Sequence, residues 1–415
     1  MKRTFTALAL WAGLCTTAAA ADPITLGLNY PRTGSYKEEG LAQMRGALLA
    51  VDEINAQGGV LGRPLRLISR DTASRPEKAV NNVERLVNDG AVMLFGGASS
   101  AVAIAASKRA KELGVLYFGT LTYSNDTTGK NGHRYMFREC NSAWMSARVL
   151  GQYLAKTMPN KRYFYVTADY TWGHTSESSL RQTTGSTDTR SNPGLKVPFP
   201  GARLADYRDA LTQAASSDAD VLALVLFGDD LVRAMRIAED LGLTKRMQVV
   251  APNLTQSIVE QAGPGLMAGV IGTEPWTWRV PELEKSEPGM AFVKNYSARY
   301  ELMPSSSAAS AYSIVHQWAD AAERTGSLDS EKLIKSLEGH KYQLLKGPQE
   351  WRSFDHQNVQ TVYAVKVKSR DEIMKDRSKQ DYFEIVGRLD GPLAAPTLDE
   401  WKQERTAAGQ PPQLQ

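Results

Sequence analysis

Short apolar runs alternate along the chain with longer stretches in which apolar residues recur every three or four positions. The runs at residues 91–95 and 221–227 are each followed by glycine, as is common for buried strands of a parallel sheet. Residues 41–54 have the spacing of an amphipathic helix, and Gly58 and Gly59 provide its stop signal. The order strand, helix, strand is typical of α/β folds with parallel strands.

This alternation occurs twice. One series ends with a strand at residues 116–118, and a second begins with a strand at residues 163–166. Because 415 residues are too many for one small domain, the pattern predicts two doubly wound parallel-sheet lobes of similar design. Ligands of open parallel sheets bind beyond the carboxyl ends of the strands, so two facing lobes would form a cleft there.

Two strand-to-helix corners of the predicted sheets differ in charge. In the first half, residues 91–96 lead to Ser99 and Ser100 at the start of a helix, where free N–H groups can bind a carboxylate. Simple helix capping by the serines is the alternative. In the second half, Asp229 and Asp230 follow the strand and can cap and neutralise the helix start themselves. We therefore expect the first half to hold an anionic ligand group.

Residues 1–21 have the composition of a secretory signal peptide. Lys2 and Arg3 are followed by a short apolar core and by small residues. Cys15 raises the alternative of a lipoprotein, but Leu14 stands before it where a lipidation motif has a small residue. The sequence thus predicts a mature chain in the periplasm.

The remaining composition excludes several function classes. The formal charge of +4 falls by two when the leader is removed, which gives no reason to expect a nucleic acid or an anionic membrane as partner. Cys140 is then the single cysteine and is expected to be a buried thiol. The five histidines have no metal-ligand spacing, and no nucleophile elbow, dinucleotide fingerprint or phosphate loop occurs. We expect no catalytic residue, cofactor or metal.

Several segments resemble the type I periplasmic binding proteins, in the leucine/isoleucine/valine-binding branch of ABC-importer receptors. The resemblance rests most on residues 47–63, with later blocks at residues 134–138 and 169–173, and it extends over residues 24–366. It implies two lobes joined by a hinge of three crossing segments. These are expected near residues 141–144, 273–276 and 347–354.

The resemblance also implies the domain boundaries. Lobe 1 would comprise residues 22–142 plus 275–350, and lobe 2 would comprise residues 143–274 plus 351–390. Residues 391–415 are left as a C-terminal tail. Its Pro- and Gln-containing end is expected to fray.

A ligand-binding set follows from the same resemblance: Ser99, Ser100, Leu121, Thr122, Tyr123, Trp172, Phe227 and Asn253. The serine corner corresponds to the carboxylate site, and residues 121–123 correspond to the loop beside it. Trp172 and Phe227 occupy aromatic positions of the family. Trp276 is also predicted to contact the ligand, and with Trp278 it offers a further flat apolar surface.

The nature of the ligand stays open. Asn253 lies near the position of the acid that pairs with the ligand ammonium in amino-acid receptors, and an unpaired buried charge costs several kcal/mol. Glu39 could replace that acid. The aromatic side chains would suit an aromatic or apolar acid, and residues 122–138 resemble a sub-branch tied to aromatic carboxylates. An amino acid and a neutral solute remain alternatives.

We therefore expect a substrate-binding protein that traps a small carboxylate-bearing solute between its lobes by hinge closure. Its partner would be an ABC permease in the inner membrane, and the protein would be a monomer. A ligand-sensing receptor of the same fold is an alternative that gene neighbourhood would separate. A secreted enzyme is a more distant alternative.

Overall fold

The computed structural model describes residues 21–415, so the predicted signal peptide, including Cys15, lies outside the described residues except for Ala21. The strands are β1 (Ile24–Tyr30), β2 (Leu65–Asp71), β3 (Ala91–Gly96), β4 (Leu116–Gly119), β5 (Met136–Arg138), β6 (Tyr163–Asp169), β7 (Gly194–Pro198), β8 (Val221–Val225), β9 (Gln248–Ala251), β10 (Ile271–Glu274), β11 (Lys341–Tyr342), β12 (Gln349–Trp351), β13 (Asn358–Val359), β14 (Val362–Val367) and β15 (Phe383–Leu389).

The helices are α1 (Lys37–Ala56), α2 (Pro76–Asn88), α3 (Ser100–Glu112), α4 (Ala143–Thr157), α5 (Thr171–Thr184), α6 (Leu204–Ala215), α7 (Asp229–Asp240), α8 (Leu243–Arg246), α9 (Gln256–Ala262), α10 (Pro264–Met267), α11 (Val280–Leu283), α12 (Glu287–Tyr300), α13 (Ser306–Thr325), α14 (Ser330–Leu337), α15 (Arg370–Lys375), α16 (Gly391–Ala394) and α17 (Leu398–Ala407). A short 3₁₀ helix spans Asn125–Thr127.

The first sheet has five parallel strands in the order β2-β1-β3-β4-β5 and forms the centre of lobe 1. Every residue of β1 is buried, as expected for a strand covered on both faces. The register aligns Asn29 with Gly96 and Gly96 with Gly119, so the carboxyl ends of β1, β3 and β4 lie at one edge. The loops that follow these strands therefore share one surface of lobe 1.

The second sheet forms the centre of lobe 2, with strand order β15-β14-β10-β9-β8-β6-β7. Its first five strands in the chain, β6 to β10, are parallel, whereas β14 and β15 are antiparallel to their neighbours. Residues 368–382, which include α15, connect β14 to β15, and the two strands pair antiparallel. The predicted α/β class with two parallel-sheet cores is confirmed.

The chain passes between the lobes three times: between β5 and α4, between β10 and α11, and between β13 and β14. The third crossing lies at residues 360–361 and not at 347–354, where we expected it. The reason is that β12 pairs with β13, and Trp351 packs edge-on against Phe118 and Phe137 of lobe 1. These contacts hold the segment on lobe 1 for a few residues longer.

The C-terminal segment is docked and does not fray as predicted. Trp401 of α17 is buried, and its Nε1 donates to the Thr128 carbonyl at 2.8 Å. The Arg405 guanidinium donates to the Gly132 carbonyl at 3.2 Å, and Arg134 N–H donates to the carbonyl of Gln415 at 3.2 Å. One tryptophan and one arginine on the same face of α17 thus anchor the end of the chain.

Candidate functional site

The two lobes are in direct contact across the cleft. Tyr36 of lobe 1 is buried among aromatic side chains that follow strands of lobe 2. Its ring stacks on Phe199 at 5.4 Å between centroids and meets Phe227 edge-on at 5.3 Å. Its hydroxyl lies 3.2 Å from the Tyr170 hydroxyl. The lobes are therefore in a closed arrangement.

Three of the predicted ligand-binding aromatic residues lie together at this interface. Phe227 is 6.0 Å from Trp172 and 6.1 Å from Tyr123, both in edge-on geometry. Trp172 Nε1 donates to Asn253 Oδ1 at 3.3 Å, and Asn253 Nδ2 donates to Ser146 Oγ at 3.3 Å. Asn253 thus positions the indole of Trp172. We call Tyr36, Tyr123, Trp172 and Phe227 the aromatic wall.

The serine corner follows β3 in lobe 1. Ser99 is the N-cap residue of α3, yet its side chain makes no capping hydrogen bond. Its Oγ is buried and has no hydrogen-bond partner within residues 21–415. Ser100 Oγ accepts a hydrogen bond from Ser124 N–H at 3.0 Å, which fixes the neighbouring loop. Capping therefore does not explain Ser99, whose hydroxyl lies beside the free N–H groups of the first turn of α3.

The loop after β4 places its three predicted residues differently. Leu121 is buried among apolar side chains. Thr122 N–H donates to Cys140 Sγ at 3.2 Å, and its Oγ1 bonds Thr127 Oγ1 at 2.7 Å. Cys140 is buried as predicted, and burial raises the pKa of its thiol to about 12. Tyr123 Oη is buried without a partner in the described chain, so this loop offers one uncommitted hydroxyl.

The matching corner of lobe 2 is blocked, but not in the way we expected. Asp229 and Asp230 are the first residues of α7, and the cap position belongs to Gly228, so neither carboxylate caps the helix. Asp230 instead accepts a hydrogen bond from Tyr207 Oη at 2.7 Å, and burial raises the pKa of its carboxyl. Asp229 N–H donates to the Ser35 carbonyl of lobe 1 at 3.2 Å. A lobe 1 carbonyl and two nearby carboxylates therefore disfavour an anion at this corner.

Glu39 connects the lobes from the first turn of α1. Its buried carboxylate accepts hydrogen bonds from Thr255 Oγ1 at 2.6 Å and from the hydroxyls of Ser257 and Ser307. Thr255 and Ser257 lie at the start of α9 in lobe 2, whereas Ser307 belongs to α13 in lobe 1. Burial raises the pKa of Glu39, and the three hydroxyls oppose that effect. All of these contacts bridge or border the cleft.

The sequence did not point to Glu274 and Gln43, which are also buried. Glu274 ends β10 at the second crossing, and its Oε2 has no partner among the described residues. Gln43 follows Glu39 by one turn of α1, and both of its amide atoms are also without partners there. A charged residue at the end of an apolar strand was the available signal for Glu274. The hydrophobic pattern of α1 gave no signal for Gln43.

Trp276 lies apart from the aromatic wall. Its Nε1 donates to the Leu345 carbonyl at 3.1 Å, and its ring packs on Phe292 at 5.8 Å. Trp278 Nε1 donates to the Gln380 carbonyl at 3.0 Å. Both indoles thus pack beside the second crossing, and a ligand contact of Trp276 stays a prediction.

No His, Cys, Asp or Glu side chains cluster in threes as a metal site would require within residues 21–415. No helix in that part of the chain combines the length and apolar character needed to cross a bilayer.

Comparisons with known proteins agree with this architecture. A family model described as periplasmic binding protein matches residues 23–372. The leucine-, isoleucine-, valine-, threonine- and alanine-binding protein of Pseudomonas aeruginosa is 25% identical over 350 residues, which cover 84% of this chain and 90% of that protein.

Two crystal structures are similar over nearly their whole length. A periplasmic binding protein from Burkholderia mallei has a TM-score of 0.82 at 25% identity and covers 92% of this chain and 98% of its own. A solute-binding protein of an ABC transporter from Rhodopseudomonas palustris, in complex with 3,4-dihydroxybenzoic acid, shares the fold with a TM-score of 0.77 at 20% identity. That alignment covers 89% of this chain and 98% of the other. With the family match and the two-lobe α/β architecture together, the chain belongs to the type I periplasmic binding proteins of the Leu/Ile/Val-binding family.

Proposed function

We propose that this protein is the periplasmic receptor of an ABC importer and traps a small carboxylate-bearing solute between its lobes. The solute carboxylate is held by Ser99 and the first turn of α3, and its body packs against the aromatic wall. The observation that carries the proposal is the pair of buried hydroxyls of Ser99 and Tyr123 at the lobe interface, neither of which has a hydrogen-bond partner within residues 21–415. A buried polar group without a hydrogen-bond partner costs about 1–3 kcal/mol. Binding of a ligand that forms hydrogen bonds with both hydroxyls is therefore favoured.

The known relatives support a carboxylate as the shared ligand feature. The Pseudomonas aeruginosa protein is named for five amino acids, and the Rhodopseudomonas palustris structure contains an aromatic acid. Amino acids and aromatic acids differ in their side groups and charge, but both carry a carboxylate. The buried aromatic wall supplies the flat apolar surface that either class can use.

Closure of the hinge would complete the site. Glu39 and Tyr36 form their contacts with lobe 2 only when the lobes are together. A ligand that binds both lobes therefore shifts the population toward the closed form, which an inner-membrane permease can recognise. We assign the mature chain to the periplasm, with residues 1–21 as its removed leader.

The test compares carboxylic acids with their primary amides by thermal shift and calorimetry. Ser99→Ala should weaken binding of an acid by about 1–3 kcal/mol, because a buried hydrogen bond to the carboxylate is lost. It should weaken binding of the matching amide less. Ser216→Ala, at an exposed serine at the end of α6, is the control. If Ser99→Ala leaves the affinity for every acid unchanged, the carboxylate assignment is wrong.

A further inference from the structure

A cavity of about 760 Å³ lies beside the cleft, where α5 of lobe 2, the short 3₁₀ helix of lobe 1 and α17 meet. Thr175 and Ser178 line it from α5, and Trp401 and Glu404 line it from α17. Trp144, near the start of α4, contributes a second indole. A volume of this size is within the range of small-molecule sites in proteins. The cavity is therefore large enough to hold a ligand of its own.

The loop after β4 separates this cavity from the carboxylate corner. Ser124 of that loop donates its N–H to Ser100 Oγ at 3.0 Å on the cleft side. The Ser124 carbonyl accepts a hydrogen bond from the Arg138 guanidinium, and Arg138 lines the cavity. Neither Ser99 nor any residue of the aromatic wall contributes to the lining. A molecule in this cavity would thus be distinct from the solute held in the cleft.

One wall of the cavity comes from outside the matched family region, which ends at residue 372. Pro396, Glu400, Trp401 and Glu404 are part of this wall, and all belong to the C-terminal segment. That segment bonds to Arg148 of lobe 2 and to the Thr128 carbonyl of lobe 1. The cavity is therefore completed by a segment that contacts both lobes.

Most of the carboxylates in the lining are already paired with basic side chains. Each pair joins an acid of the lining to a lysine or an arginine within ion-pair distance. The pairs are Asp126 with Lys130 at 2.9 Å, Glu400 with Arg148 at 3.1 Å, and Asp355 with Arg352. These three acids therefore have little capacity left for a ligand.

Glu404 is the exception among the acids of the lining. Its carboxylate is partly buried and forms neither a hydrogen bond nor an ion pair with the rest of the described chain. Its Oε1 lies against the neighbouring loop, since a Cβ on Gly129 would come within 2.8 Å of that oxygen. Burial raises the pKa of Glu404, and the charge of Asp126 raises it further, whereas Arg138 and Lys130 lower it. A carboxylate that has lost water without gaining a partner favours an incoming cation.

The buried Arg138 does not offer an equivalent site for an anion. Its Nε donates to Gln357 Oε1 at 2.6 Å, and its Nη2 donates to Thr128 Oγ1 at 2.9 Å. Its Nη1 donates to the carbonyls of Thr122 and Ser124. Most N–H groups of this guanidinium are therefore in use. The free capacity of the charged lining lies with Glu404, which can only accept.

We propose that this cavity is a second ligand site, which binds a small organic cation with a primary ammonium group and an apolar body. The ammonium group pairs with Glu404. The apolar body packs against Trp144 and Trp401, since indole rings attract organic cations. This site is separate from the carboxylate trap, and its occupation stabilises the contacts of α17 with the two lobes.

The experiment uses pairs of probes in which a hydroxyl replaces the amine: 2-phenylethylamine with 2-phenylethanol, and tryptamine with tryptophol. Calorimetry and thermal shift are measured on the full mature chain. At least one amine should bind at least tenfold more tightly than its alcohol. Glu404→Gln should remove this preference, mainly by weakening amine binding. Asp399→Asn, at an exposed acid in the first turn of the same helix, is the matched control.

A second variant tests the cavity from the opposite wall and leaves Glu404 in place. Ser178 is exposed on α5 and lines the cavity, so the ring of Ser178→Phe should fill part of it. This variant should weaken amine binding at least fivefold. Ser216→Phe, at an exposed serine at the end of α6, is the control for the added ring. The melting temperature of each unliganded variant reports whether its fold is intact.

The outcomes separate this inference from the carboxylate trap. If neither amine binds or raises the melting temperature, or if each alcohol binds as tightly as its amine, the cation site is wrong. A preference that survives in a folded Glu404→Gln variant, or amine binding that is unchanged in Ser178→Phe, also overturns it. The affinity for carboxylic acids enters none of these results, so either proposal can fail while the other stands.

Discussion

At the scale of single residues, Glu39 is the clearest link between ligand binding and closure. Its carboxylate accepts hydroxyl donors from α9 of lobe 2 and from α13 of lobe 1. Hydrogen bonds to a charged group contribute about 1.5–3 kcal/mol each when buried. In an open form, the two bonds from lobe 2 are replaced by water. The residue therefore stabilises the closed form selectively.

Glu39→Gln should lower ligand affinity about tenfold or more, because an uncharged amide accepts these hydrogen bonds less strongly. The melting temperature of the unliganded protein should change less than that of the liganded protein. Titration calorimetry and thermal unfolding measure the two effects. Glu38→Gln, at the partly exposed neighbour on α1, is the control. Equal loss of stability with and without ligand would assign Glu39 to folding alone.

The individual site residues could be predicted to different degrees. Ser99, Trp172 and Phe227 could be found because each follows a recognisable strand, and strand ends of parallel sheets meet at one edge. Glu274 and Gln43 were missed because their burial depends on packing between segments that are far apart in the chain. Gln43 lies on α1, whose buried face is set by packing against α13 and not by its own sequence pattern.

At the scale of elements, one buried network joins the three crossing segments. Lys346 Nζ donates to the Pro275 carbonyl of the second crossing and to Gln360 Oε1 of the third. Gln360 Nε2 donates to the Glu139 carbonyl, next to the first crossing. Gln360 is 1% exposed, so its amide has no water to replace these partners. The hinge segments are therefore coupled through one side chain.

Gln360→Ala should lower the free energy of unfolding by about 2–4 kcal/mol. The reason is that the buried Glu139 carbonyl loses its hydrogen-bond donor and Lys346 Nζ loses an acceptor. It should also change ligand affinity, because the crossings lose their common anchor. Chemical denaturation and calorimetry test these effects. Gln152→Ala, at an exposed glutamine of α4, is the control. Unchanged stability would mean that the network adds nothing to the hinge.

The order of elements was more predictable than their pairing. Local periodicity marks strands and helices, so the two α/β series could be recognised from sequence. The antiparallel β14 and β15, the later third crossing and the docked α17 depend on long-range contacts. Trp351 against Phe118, and Trp401 against the Thr128 carbonyl, are examples. Such contacts do not change the local hydrophobic pattern of the sequence, so that pattern cannot predict them.

At the scale of the whole molecule, the C-terminal segment of residues 390–415 makes a further, non-covalent connection between the lobes. Arg148 of α4 in lobe 2 donates to the carbonyls of Leu393 and Ala395 and to Glu400 Oε1. On lobe 1, Trp401 and Arg405 of α17 bind the loop that contains Thr128. The matched family region ends at residue 372, so this connection lies beyond it.

The loop held by α17 also contacts lobe 2 at the edge of the cleft. Asn125 Nδ2 donates to Ser179 Oγ of α5 at 3.1 Å, and Thr171 Oγ1 donates to Asp126. By fixing this loop, α17 stabilises contacts that exist while the lobes are together. Its loss should therefore act on the lifetime of the closed form more than on the fold of either lobe.

Trp401→Ala removes the buried anchor of α17 and should speed ligand dissociation about tenfold, with a smaller effect on association. The physical reason is that affinity differences among variants of one complex reside mainly in the dissociation rate. Displacement kinetics measure that rate, and small-angle scattering of the unliganded protein should show a larger radius of gyration as the open form gains population. Lys402→Ala changes the exposed neighbour on the same helix and should leave both quantities unaltered. If Trp401→Ala lowers the melting temperature but leaves dissociation and radius unchanged, α17 only covers lobe 1 and does not connect the lobes.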